Sequence, residues 1–146
     1  MVGDPEAKAV NVPLLVGDST YSVTCVSMGN PHCIIFVDDV ESLDLEKFGR
    51  PIEVHPAFPR KTNVEFVQVV DRQTLRMRVW ERGAGVTLAC GTGACAVIVA
   101  AVLNDKTDRK ALLKLDGGEL LLDWRDDNHI YKTGPAVEVF RGEYIA

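Results

Sequence analysis

Ala94-Cys95-Ala96-Val97-Ile98-Val99-Ala100-Ala101-Val102-Leu103 is an unbroken run of ten apolar residues. Its length also allows a buried strand, but six of the ten are alanine, cysteine or leucine, which helices tolerate. Gly91 or Thr92 can cap its start, and Asn104-Asp105 makes a stop. A helix on a protein surface carries an apolar stripe, whereas one that is apolar on every side has to be surrounded.

Strands supply the surroundings. Asn11 to Val16 and Thr20 to Met28 flank a Gly17-Asp18 turn, and Pro31 to Val37 follows Gly29-Asn30. Asn63 to Val70 is rich in valine, while Leu75, Met77 and Val79 alternate with Arg76, Arg78 and Trp80, the period of a strand with one wetter face. Asp71-Arg72-Gln73 suits the hairpin turn between them, so the two should pair antiparallel. Ala111 to Leu115, Glu119 to Trp124, Ile130-Tyr131 and Ala136 to Phe140 are strand-like as well. Only Leu43 to Phe48 offers another helix, capped by Ser42 and ended by Gly49 and Pro51; the three-proline stretch from Pro51 to Thr62 reads as an ordered loop. A βαβ arrangement lacks the helices it needs. The expected fold is therefore α+β: one domain over residues 1–146, with a curved, largely antiparallel sheet wrapped around a central apolar helix.

Composition agrees with a single core. A chain of 146 residues can bury roughly two thirds of its extended surface. With 47% hydrophobic and 25% charged residues it has a globular balance, and no apolar run approaches the ~18 residues that cross a bilayer. A net charge of -5 without a lysine or arginine cluster gives nucleic acid little to hold. Met1 to Glu6 carries acids and a proline where a secretory leader would be basic and then apolar, so a cytoplasmic location is expected. The four cysteines, Cys25, Cys33, Cys90 and Cys95, form no CxxC pair and read as reduced. A metal site is not expected, because the adjacent His32 and Cys33 would point to opposite faces of a strand.

Chemistry concentrates in Glu81-Arg82-Gly83-Ala84-Gly85-Val86-Thr87-Leu88-Ala89-Cys90-Gly91-Thr92-Gly93-Ala94-Cys95. An acid and a base end a strand, and a thiol then stands where the central helix begins. A helix start presents free N–H groups and partial positive charge, so it can bind a carboxylate and lower the pKa of a nearby cysteine. Gly91 and Gly93 let a ligand come close to that backbone. Cys90 also reads as one more small hydrophobe, and Cys95, inside the apolar run, reads as core. The segment lacks the Gly-Lys-Ser/Thr ending of a P-loop. Glu81 gains a role if it folds back toward Cys90, where a carboxylate can take or hold the thiol's proton. In a regular strand Arg82 faces away from Glu81, so both reach one ligand only if the strand bulges or ends there.

Gly29-Asn30-Pro31-His32 is a second candidate: asparagine can bind an amine or carboxylate, and histidine exchanges protons near neutral pH. A turn with a satisfied histidine is the plainer reading of it, as a cap is for Asn63. His55 and His129 carry no signal beyond their type.

Taken together, Gly29-Asn30-Pro31-His32, Thr62-Asn63-Val64-Glu65-Phe66 and the Glu81 to Gly93 motif resemble diaminopimelate epimerase in order and spacing. The likeness covers nearly the whole chain but only the second of that family's two similar domains, each a sheet around a central helix. The resemblance implies interconversion of LL- and meso-diaminopimelate, for lysine and peptidoglycan synthesis, without pyridoxal phosphate or metal. One thiolate removes the α-proton and a thiol on the opposite face returns one. By the same resemblance Cys90 is the second-domain thiol, Glu81 its acid–base companion, and Gly91 with Thr92 supplies backbone donors to the α-carboxylate. Asn30, Asn63 and Arg82 would hold the distal end of the substrate, with Glu81 contributing there too. His32 matches the histidine that partners the other catalytic cysteine.

That other cysteine belongs to the first domain, and neither Cys25 nor Cys33 has a context that would replace it. The resemblance therefore implies a diamino dicarboxylate substrate, a first epimerase domain as partner, and an isolated chain with little or no activity. A former domain interface left open would also favour homodimers. Two other readings fit the residues: a non-catalytic assembly or ligand-holding domain, and an epimerase or racemase for another amino acid. The latter fits less well, because Arg82 with Asn30 and Asn63 suits a substrate with a second polar end.

Overall fold

The computed structural model describes residues 8–145. Met1 to Glu6, on which the expectation of a cytoplasmic location rests, lie outside the described residues. Nine strands form one sheet: β1 (Val12–Val16), β2 (Ser19–Ser27), β3 (Pro31–Phe36), β4 (Asn63–Asp71), β5 (Thr74–Glu81), β6 (Gly85–Thr87), β7 (Lys110–Leu115), β8 (Gly118–Trp124) and β9 (Ile130–Thr133). Their order is β1-β2-β3-β4-β5-β7-β8-β9, with β6 on the free part of β5. Neighbours are antiparallel except β3 with β4 and β5 with β7. The α+β expectation, a largely antiparallel sheet around one helix, is met.

That helix is α2 (Gly91–Leu103), and it packs on β2, β3 and β4 on one side and on β7 and β8 on the other. Strand alternation builds its bed: Ile34, Val67, Leu75, Met77, Val79, Leu113 and Leu122 turn toward α2. Enclosure is incomplete, however. Cys95 and Val99 are only half-buried and Leu103 is exposed, because the sheet leaves a gap between β2 and the β8–β9 end. The apolar run is thus surrounded on most of its circumference but not all.

The opposite sheet face meets α1 (Leu45–Glu53) over a second core of Val23, Cys33, Ile35, Val64 and Phe66. Here the local reading needs correction. Asp44, not Ser42, caps the helix, its side chain accepting from the Lys47 N–H, and the helix runs through Gly49 and Pro51. Gly49 is a contact point rather than a stop: a Cβ there would lie 2.5 Å from the Trp80 Cβ. Past Pro51, the fully buried Ile52 and the tightly bonded Glu53 hold the last turn in place against the usual cost of an interior proline. Beyond it the proline-rich stretch is ordered by successive turns, His55 N–H to Ile52 O, Phe58 N–H to His55 O and Lys61 N–H to Phe58 O.

Two further expectations change. The three-residue β6 was not anticipated, and Ala136 to Phe140 forms no strand. Val137, Val139 and Phe140 are among the most exposed side chains of the described residues, with no neighbouring strand to pair against. All four cysteines are free thiols, and Cys33 turns into the α1 core while His32 turns the other way.

Candidate active site

Cys90 is the N-cap of α2. Its backbone is extended (φ -131, ψ 111), and its Sγ accepts from the Gly93 N–H at 3.3 Å. The cap is therefore the thiol itself rather than Gly91 or Thr92. Sulfur serves because the residue is buried, 6% exposed, where no water competes for that N–H. Thr92 Oγ1 lies 3.7 Å from Sγ. The Gly91 and Thr92 N–H groups sit at the exposed start of the helix with no acceptor among the described residues, a ready-made place for a carboxylate.

Burial pushes the Cys90 thiol above the ordinary cysteine value, and the nearby Glu65 and Glu81 charges push it further; the Gly93 N–H and Thr92 hydroxyl pull the other way and lose. The helix start acts as expected, but desolvation outweighs it, so the lowered thiol pKa anticipated from the sequence is not found.

Of the sequence-derived residues, Asn30, His32 and Thr92 are linked to the Cys90 end of α2. His32 is fully buried, with Nε2 3.1 Å from Asn30 Oδ1, and Asn30 Nδ2 donates to Thr92 Oγ1 at 3.2 Å, tying the Gly29–His32 turn to the first turn of α2. Asn63, 4% exposed, spends its amide on backbone: Nδ2 donates to Pro31 O and Oδ1 accepts from the Arg82 N–H. It is a strut that joins β3 to the end of β5. Strand β5 stops at Glu81, so Arg82 lies in the turn beyond it, where its guanidinium is exposed and donates to Arg60 O. Glu81 accepts from the Thr87 hydroxyl; no hydrogen bond joins it to Cys90 among the described residues, though its charge reaches the thiol.

Three contributors were not read from the sequence. Glu65 has zero exposure, with Oε1 2.6 Å from His32 Nδ1. Its signal was present, since a charged residue inside the valine- and phenylalanine-rich β4 falls on the same face as Asn63. Thr87 holds Glu81 from the short β6. Glu53 accepts from Trp80 Nε1 at 2.7 Å and from the Gly83 N–H at 3.0 Å, anchoring the glycine turn. Burial works against its charge, but the Trp80 and Gly83 bonds and the Lys61 ammonium prevail and hold its carboxyl below the usual range.

His32, Glu65 and Cys90 bring a nitrogen, an oxygen and a sulfur within 4.8 Å of one another. The 2.6 Å separation of Nδ1 and Oε1 is a hydrogen-bond distance; two donors on one tetrahedral zinc stand about 3.3 Å apart, so the cluster as built is not a metal cage. An open cleft of about 610 Å³, bordered by Val26, Met28, Thr92, Cys95, Trp124 and Ile130, shares Thr92 with the site but not Cys90.

A family model for diaminopimelate epimerase matches residues 24–139. The chain belongs to the diaminopimelate epimerase family. It is 61% identical to a diaminopimelate epimerase of Heliobacterium modesticaldum over 98% of its own length and 51% of that protein's. A diaminopimelate epimerase of Methanococcus maripaludis strain C5 is 54% identical over 97% of this chain and 56% of its own. The chain thus spans about half the length of the curated relatives it matches. Among solved structures, a phenazine biosynthesis protein of the PhzF family from Bacillus anthracis overlays 77% of the chain with a TM-score of 0.52 at 19% identity, a likeness of fold. No helix among the described residues is long and apolar enough to cross a membrane.

Proposed function

We propose that this chain is the second half of a diaminopimelate epimerase, and that Cys90 exchanges a proton with one face of the substrate α-carbon. The observation that carries the reading is the thiol at the cap of α2, beside the two free N–H groups of Gly91 and Thr92. A substrate carboxylate bound there would bring its α-carbon next to sulfur.

In one direction the Cys90 thiolate takes the α-proton and becomes a thiol; in the other, the Cys90 thiol gives its proton to the carbanion and is left a thiolate. A second thiol, from a first domain, does the complementary step on the opposite face, which is what inverts the centre. Because burial favours the neutral thiol, Cys90 starts as the proton donor and needs a nearby acceptor to become a base. Glu81 is the group for that task, held by Thr87 within reach of the thiol's field. The carbanion is stabilised by the helix-start N–H groups in a closed site. Two thiols suffice for the exchange, so the reading calls for no pyridoxal phosphate and no metal.

Arg82, exposed past the end of β5, would meet the distal polar end of a diamino dicarboxylate, with Asn30 contributing from the His32 turn and Asn63 holding the Arg82 backbone in place. His32 would serve the thiol of the first domain. Without that domain the chain would be nearly inactive and free to self-associate through its open apolar surface, and the reading places it in the cytoplasm. The reading is tested by thiol protection: with the first domain supplied, diaminopimelate should slow alkylation of Cys90 but not of Cys95. Equal alkylation with and without diaminopimelate would argue for a domain that only holds the assembly together.

A further inference from the structure

Glu65 is an ionisable group at the heart of the site that this reaction leaves without work. It has zero exposure, and its Oε2 is buried with no hydrogen-bond partner among the described residues. The carboxyl is pressed against the first turn of α2: a Cβ on Gly93 would stand 2.7 Å from Oε1 and 3.1 Å from the Cys90 Sγ. A half-satisfied acid in a dry place is expensive, and apolar residues often replace buried ion pairs without loss. Stability therefore does not account for it.

Its geometry does. Oε1 meets His32 Nδ1 at 2.6 Å, and the other ring nitrogen faces Asn30, which reaches Thr92, whose hydroxyl lies beside the Cys90 sulfur. A hydrogen bond at one imidazole nitrogen decides what the other can do. We propose that Glu65 is a positioning residue: it grips Nδ1 of His32, fixes the plane and tautomer of the ring, and so ties the histidine that serves one thiol to the helix turn that carries the other. The grip on His32 is a property of this chain alone; its part in turnover rests on the epimerase reading.

Ring-nitrogen NMR of the full chain, labelled with 15N-histidine, tests the grip directly. His32 should show a single tautomer and a slowly exchanging proton on its bond to Glu65, unlike the exposed His129. Glu65→Gln keeps the volume and removes the buried acid; in it the protected proton should vanish and the tautomers mix. Rapid exchange and mixed tautomers already in the unaltered chain would overturn the proposal without any variant. With the first domain supplied, Glu65→Gln should lower kcat by about 10-fold or more, as loss of a carboxylate that orients an active histidine does, while KM stays within about twofold. An unchanged kcat in the folded variant would overturn the catalytic role. If even the unaltered chain shows no turnover with its partner domain, the epimerase reading fails while the NMR result stands.

Discussion

At Cys90 the helix start and the burial of the sulfur act in opposite directions, and burial wins. Alkylation of Cys90 by iodoacetamide in the isolated chain should accordingly be slow at pH 7 and climb as pH passes 9.0, the ordinary cysteine value. A rate already at its plateau near pH 7, followed by peptide mass spectrometry, would contradict this balance. The proposed contact of Arg82 with the distal end of the substrate predicts that Arg82→Ala in the completed enzyme weakens use of diaminopimelate far more than use of a monocarboxylate, and equal loss in both would count against that contact. The motif around Cys90 was legible because glycines, thiol and acid stand together in sequence. Glu65 was not, because its meaning lies in His32, which the β3–β4 register places two residue pairs away on the same face. A pattern along one strand cannot show which neighbour's side chain it meets.

Among the elements, α2 and the strands were legible from periodicity, since a long run without polar residues leaves few alternatives and alternation along β5 assigns its two faces. Helix α1 was not, because Gly49 and Pro51 are stop signals only when nothing outside the helix overrides them. Trp80 and the bonds of Glu53 override them. Gly49→Ala should then destabilise the chain by about 1–3 kcal/mol despite the better helix propensity of alanine, because the added methyl has no room against Trp80. Urea unfolding followed by tryptophan fluorescence would measure it; an increase in stability would mean that the α1–β5 contact has room for the methyl. Ala136 to Phe140 has the composition of a strand, but composition does not supply a partner edge, and its apolar side chains stay exposed.

Over the whole molecule, ionisable groups narrow the stable range from both sides. Glu53 and Asp116 are held below their ordinary values: burial opposes this, but hydrogen bonds and nearby cations outweigh it, so their contribution is present above about pH 4.5 and is lost as pH falls through their lower folded values. Cys90 and Cys95 are raised by burial, so the stability tied to their neutral thiols is whole below pH 9.0 and is lost as pH rises through the folded values. Through these groups urea midpoints should fall as pH drops below about 4.5 and again as it rises past 9.0, while the buried Glu65, raised by desolvation, favours its neutral form and works against stability as pH rises above 4.5; a midpoint that keeps rising past pH 9 would contradict the burial of the two thiols.

The most direct measurement for the account is solvent-deuterium exchange at the α-carbon of diaminopimelate, followed by NMR. The chain alone should exchange negligibly, the chain with its first domain should exchange readily, and Cys90→Ser in that complex should cut the rate by about 10²- to 10⁴-fold. Ready exchange by the chain alone, or a complex indifferent to loss of the Cys90 sulfur, would contradict the claim that this thiol works on one face of the substrate while a partner domain works on the other.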